Sequence, residues 1–270
     1  MGVELPIIAE KILKSLEIMP LEKVILHEQT IAENIAILTE SMLNIGRLVD
    51  PIIVDNKYHV VLDGNHRRQV LQNLKAPLVI CQTIDYMNPA VKVGGWFPTF
   101  LQLPAGIEKF PSEEVDFEVG RSELEKNRAY FMLVCGNKRN CRLFPTERDE
   151  LEEVIRKQEE IMREINGKEN GQCYYYEDTM ADEALSQKMY VFWRRNYSKD
   201  EIIKEAVAGR PFPPKSTRHM IPERIIRLNL PLGWLYEEKS EVWNLLEGMI
   251  RKRAVNHNVR RYTEPVIVIY

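Results

Sequence analysis

Residues 58–71, Tyr-His-Val-Val-Leu-Asp-Gly-Asn-His-Arg-Arg-Gln-Val-Leu, change their periodicity within a few positions. Val60, Val61 and Leu62 form an apolar run suited to a strand, and Asp63-Gly64 breaks it. From His66 onward Val70, Leu71 and Leu74 recur at helical spacing, so the pattern predicts a strand that turns sharply into an amphipathic helix. Such a turn leaves the first helical amides without partners, at the positive end of the helix dipole. With His66, Arg67 and Arg68 in the first turn, this end suits a phosphate group. Taken alone, the same residues are equally explained by an Asp N-cap on a helix that opens with basic residues.

The other 256 positions must decide, and the 270-residue chain is long enough for one large domain or two small ones. A hydrophobic content of 44% and a charged content of 29% predict a soluble globular protein. The net charge of −3 argues against wholesale coating of nucleic acid. No apolar run reaches the roughly 18 residues of a membrane span, and the N-terminus lacks the pattern of a secretory signal. Cys81, Cys135, Cys141 and Cys173 have no Cys-x-x-Cys spacing and read as reduced thiols of a cytoplasmic protein. Five singly spread histidines give a zinc site little support.

In chain order, the pattern predicts a helix over 7–18 ended by Pro20, then a strand over Leu21–Leu26. Thr30 is expected to cap a helix, with Glu33 completing a capping box, that presents Ile31, Ile35, Leu38 and Met42 and ends near Gly46. Strands follow at 51–55, 57–62 and 78–84, closing an α+β unit near Asp85. Trp96-Phe-Pro-Thr-Phe then reads as an aromatic loop segment. Ala129–Val134 and Asn140–Phe144 are expected to pair across a turn at Gly136–Arg139. A charged helix over Glu147–Ile165, strands at 174–177 and 189–193, a helix capped by Ser198 and stopped by Gly209, and a helix over 240–253 complete the second half. The last residues, from Tyr262, read as an apolar strand.

Three polar stretches fall where loops are expected. His27-Glu28-Gln29 sets a carboxylate beside an imidazole at a strand end, as a general base requires; a surface glutamate is the plainer alternative. The Asp63-Gly64-Asn65-His66-Arg67 turn is the second, and Asp63 there can also hold a Mg²⁺ that bridges phosphates. The third is Lys215-Ser216-Thr217-Arg218-His219, approached through Pro211, Pro213 and Pro214. Its hydroxyls and cations suit a small carboxylate or phosphate, or a basic surface loop.

Taken in order, Leu26–Gln29, Val61–Arg67, Trp96 with Pro98, and Pro214–His219 resemble the free L-serine kinases, a family with a ParB/sulfiredoxin-like nucleotide-binding domain. The resemblance runs over most of the chain, and Leu228–Leu232 with Arg261–Glu264 is more similar to the siderophore-biosynthesis branch. It implies an α+β fold with a nucleotide-binding domain at 1–86 and a second α+β domain at 87–270, the active-site cleft lying between them. It implies that Glu28 is the base for the serine hydroxyl, that Asp63 and His66 share in catalysis, and that Asp63, Gly64, Asn65, His66 and Arg67 hold the nucleotide phosphates. Asp63 would carry Mg²⁺, and Trp96, Ser216, Thr217, Arg218 and His219 would hold serine or phosphoserine. The substrates implied are L-serine and a nucleotide, ATP or ADP, and the product O-phosphoserine would feed cysteine or siderophore synthesis. Asn65 departs from the archaeal pattern, which has a second His there. The competing class is a ParB-like nucleotide-binding DNA-binding regulator, but no helix-turn-helix pattern follows the first domain.

Overall fold

The computed structural model describes residues 7–136, 138, 141–146, 148–166 and 172–262, and these form an α+β architecture in two units. The first unit begins with α1 (Ile7–Ser15), β1 (Leu16–Pro20), α2 (Ala32–Ile45), β2 (Arg47–Leu48), β3 (Ile52–Asp55), β4 (Val61–Asp63), α3 (Asn65–Asn73) and β5 (Leu78–Ile84). Its sheet runs β1-β5-β3-β4, with β3 and β5 parallel and the other pairs antiparallel. β3 and β5 are apolar along most of their length because both faces are covered, as expected of interior strands.

Several local expectations give way to tertiary partners. The first helix stops at Ser15, and Leu16, Ile18 and Met19 turn inward as β1 against β5. Residues 21–26, expected as a strand, instead make a 3₁₀ turn at Leu21–Lys23, followed by a single parallel bridge from Ile25 to Val60. Thr30 is not the cap of α2. Ile31 takes that position, without a side-chain cap, and its amide donates to His66 Nε2 at 3.2 Å. A partner from another element replaces the local one.

The second unit opens with β6 (Lys92–Gly94) and β7 (Trp96–Phe100), followed by β8 (Glu113–Val115), α4 (Phe117–Glu125), β9 (Ala129–Cys135) and β10 (Cys141–Pro145). Next come α5 (Leu151–Ile165), β11 (Tyr174–Glu177), α6 (Ala181–Ser186), β12 (Tyr190–Trp193), α7 (Lys199–Val207), which passes into the first unit at Ile203, and β13 (Arg218–Met220). Six strands make an antiparallel sheet in the order β11-β7-β12-β9-β10-β8. Phe192 anchors one face, meeting Phe100 and Phe131 edge-on and stacking on Phe144. Trp96–Phe100, expected as a loop, is an interior strand of this sheet: aromatic and β-branched side chains fill both faces there, and β11 and β12 flank it. Ser198 caps α7 as expected. Its Oγ accepts from the Glu201 amide at 3.2 Å while Glu201 returns a bond to the Ser198 amide at 2.9 Å.

From Ile221 the chain is again in the first unit, with β14 (Leu230–Pro231), paired with β2, and α8 (Lys239–Val255). The first unit therefore comprises Met1–Val91, Ile203–Pro211 and Ile221–Tyr270, and the second Lys92–Ile202 and Phe212–Met220. This differs from a single boundary after residue 86, because Leu230, Leu235, Val242, Leu246 and Ile250 complete the core made by Leu13, Ile18, Ile52, Val54 and Val79. The strand expected beyond Tyr262, like most of the turn at Gly136–Arg139, lies outside the described residues.

Candidate active site

In the first unit β4 ends at Asp63 and the chain turns at Gly64, whose φ of 106° lets α3 start at once. Gly64, not Asp63, is the N-cap. The Arg68 amide donates to Gly64 O at 2.9 Å, which closes the first helical turn. The Asp63 carboxylate accepts from Arg67 Nη2 at 2.8 Å and, through the same oxygen, from Arg224. Burial pushes its pKa up, but these two guanidiniums outweigh it and hold the group below the usual carboxylate range. Arg67 also lies 3.5 Å from Asp50.

The other first-turn side chains of α3 face the chain around Glu28. Asn65 Nδ2 lies 3.2 Å from His27 Nδ1, His66 Nε2 accepts from the Ile31 amide, and Arg68 Nε donates to Val24 O at 3.1 Å. Residues 24–31 are thus held at three points by one helical turn, with Ile25 bridged to Val60 beside them. Arg68 and His66, expected at the phosphate, each give one nitrogen to this hold. Glu28 is 14% exposed, and its Oε1 lies 3.7 Å from His27 Nε2.

His27 is 2% exposed. Burial lowers its pKa against the opposing pull of Glu28 and Asp63, so the ring is neutral near pH 7. In the unfolded chain the same ring titrates near 6.5. Below that pH the unfolded state binds a proton that the folded state refuses, so stability falls as pH drops, by at most about 1.4 kcal/mol per pH unit for one group. Calorimetric melting at pH 7.5 and 5.5 should show a smaller drop for His27→Gln than for the parent chain. Equal drops would assign the acid loss to other groups.

In the second unit the remaining predicted residues meet one another. β13 pairs with β6, setting Arg218 opposite Gly94 and His219 opposite Val93. The buried Arg194 donates to Trp96 O at 2.7 Å and also to Lys215 O, and Lys215 Nζ sits 4.9 Å above the Trp96 ring. Ser216 and Thr217 are buried, and Arg218 Nε is 3.0 Å from Glu177. At Gly95 a Cβ would come within 2.6 Å of Asn196 Oδ1, so any larger residue there would force Asn196 to shift. Ser216 Oγ, Asn196 Oδ1 and Arg194 Nε are buried polar atoms without a hydrogen-bond partner in the described structure.

No family model matches the chain. It is 26% identical over 227 residues to the ADP-dependent L-serine kinase SerK of Thermococcus kodakarensis, covering 80% of this chain and 91% of that protein. It is also 26% identical over 235 residues to an ATP-dependent L-serine kinase of Staphylothermus marinus, covering 81% and 90% respectively. The chain is a homologue of the L-serine kinases. Its fold is shared with a glutamate-to-alanine variant of a free serine kinase in complex with ADP, at TM-score 0.69 and 24% identity over 82% of this chain and 94% of that one. C-terminally truncated SbnI from Staphylococcus aureus matches at TM-score 0.68 and 20% identity, over 90% and 98%.

Against this L-serine kinase homology, four residues stand out that the motifs do not reveal: Asp50, Gln82 and Arg224 in the first unit and Arg194 in the second. Asp50 and Arg224 touch the Asp63–Arg67 pair from distant segments, and Arg194 joins the backbones of Trp96 and Lys215. Only the clustering of arginines in Arg224-Ile-Ile-Arg227 hints at any of them in the sequence. Among the described residues no group of three His, Cys, Asp or Glu side chains is placed to hold a metal ion, and no helix is long and apolar enough to cross a membrane.

Proposed function

We propose that the chain phosphorylates free L-serine to O-phospho-L-serine, with ADP or ATP as donor and Glu28 as general base. The observation that carries this is the three-point hold of residues 24–31 by the first turn of α3, which keeps Glu28 beside the turn suited to phosphate. Phosphoryl transfer needs positioning, neutralised phosphate charge and a base aimed at the acceptor hydroxyl. Glu28 takes the proton of the serine hydroxyl as its oxygen bonds to the terminal phosphorus. The phosphorus–oxygen bond to the nucleotide breaks, releasing AMP from ADP or ADP from ATP.

The N-terminal turn of α3, at the positive end of the helix dipole, holds the phosphates together with Arg67. Asn65 and His66 keep the Glu28 segment in place, so His66 acts through position. Trp96, Ser216, Thr217, Arg218 and His219 bind serine or its phosphorylated product; the unpartnered Ser216 Oγ supports this. A Mg²⁺ would be held by Asp63 and would neutralise phosphate charge. The fit rests on an ionised carboxylate at the turn, since this ion takes one or two protein carboxylates and completes its shell with phosphate and water. The names of the relatives favour this chemistry over a nucleotide-switched DNA-binding role.

Phosphorus NMR tests the proposal, with purified protein, Mg²⁺, L-serine, and ADP or ATP in separate samples. A phosphoserine resonance is expected with at least one donor. Its absence with both, from folded protein, would overturn the reading.

A further inference from the structure

The turn was expected to present three basic side chains, yet Arg68 Nε and His66 Nε2 bond to residues 24–31, Arg68 also donates to Gln72, and Arg67 lies between two carboxylates. A separate cation arrives from residues 222–229, more than 150 positions away. Arg224 meets Asp63, and its side chain is 41% exposed, whereas that of Arg67 is 18% exposed. We propose that Arg224 is a phosphate-binding residue of the nucleotide site, with Gln82 as its positioning residue. This rests on the reading of the Asp63–Arg67 turn as the phosphate site.

The geometry that supports it is a bracket around one residue. Gln82, on β5 and only 4% exposed, donates from Nε2 to Glu223 O at 3.0 Å and accepts at Oε1 from the Ile225 amide at 2.9 Å. Both hydrogen-bonding ends of a buried amide are spent on the peptides flanking Arg224, which fixes where that side chain leaves the backbone. Asp50 secures the next turn by accepting from the Arg227 amide at 2.6 Å, while its other oxygen faces Arg67. Glu223 is tied to Lys11 and Arg261, and Arg253 donates to Leu228 O at 2.8 Å. Glu223, Arg227 and Asn229 all hold positive φ without being glycine, a conformation that persists only where surrounding bonds enforce it.

A surface salt bridge to Asp63 needs no such framework and gains little stability. A guanidinium has five donors in a planar fork, so Arg224 can face Asp63 and still offer donors to a phosphate. Its charge and reach are preset before ligand arrives, which lowers the ordering cost of binding.

The test is isothermal titration of ADP and of adenosine into the full chain, as parent, Arg224→Gln and Arg224→Lys, each checked for an unchanged melting profile. Arg224→Gln should weaken ADP by about tenfold or more, the usual scale for a lost charged hydrogen bond. Adenosine, lacking phosphate, should stay within about twofold, and Arg224→Lys should recover part of the ADP affinity. ADP binding within twofold of the parent would overturn the proposal, as would an equal loss for adenosine. A parent chain that binds neither ligand would instead refute the phosphate reading of the turn, and the Arg224 assignment with it.

Discussion

Glu28→Gln is expected to lower the initial rate of O-phosphoserine formation by about 10²- to 10⁴-fold, the usual contribution of a positioned general base. The substitution keeps the shape of the side chain and its place beside His27, so the 24–31 segment should stay docked on α3. Nucleotide affinity should therefore change little, because the phosphates bind at the turn and not at the base. Glu28→Asp should recover part of the rate, since it keeps the carboxylate but withdraws it by one methylene. A rate assay paired with ADP titration separates the outcomes. If Glu28→Gln turned over serine near the parent rate, Glu28 would not be the base. If it lost rate and ADP affinity together, the damage would lie in the docking of the segment.

Gly64→Ala should combine a stability loss with a binding loss. Gly64 sits at φ 106°, ψ 26°, where an L side chain is strained, and its Cβ would fall 2.9 Å from Nε and Nη2 of Arg67. The guanidinium is the end of a flexible side chain and can retreat, but doing so breaks its bond to Asp63. The backbone strain stays whatever Arg67 does. Urea unfolding should show a destabilisation of about 1–3 kcal/mol. ADP should bind more weakly than to the parent, because the phosphate turn loses its geometry. A change below about 0.5 kcal/mol would mean that the turn relaxes to a conformation alanine accepts.

What the sequence revealed of this turn, and what it did not, follows from the range of each interaction. The strand-to-helix change at 58–71, β5, the β9–β10 pair and the helix stop at Gly46 were legible because period-2 and period-3.6 patterns and a left-handed glycine are local signals. Thr30 failed as a cap because the bond that decides the matter joins Ile31 to His66, thirty-five residues further on. Trp96 was misplaced because flanking glycines suggest a loop, whereas those glycines admit close packing beside an interior strand. The basic first turn of α3 was visible as composition, but the destination of each side chain was not: His66 and Arg68 face the Glu28 segment and only Arg67 faces acid. Arg224 was hidden for the converse reason, since its link to Asp63 spans 161 positions and carries no motif.

The discontinuity of the first unit bears on how the protein is made. Val242, Leu246 and Ile250 of α8 lie in the same core as Ile18, Ile52 and Val79, although some 160–230 residues separate them along the chain. A ribosome releases β1, β3 and β5 long before it has synthesised the helix that covers them. Until residues 228–254 emerge, those strands must wait with apolar surface uncovered while the second unit is already complete enough to fold. A nascent chain of this order invites chaperone protection of its earliest segment, and a stop codon anywhere before α8 would leave the phosphate turn on an unfinished core.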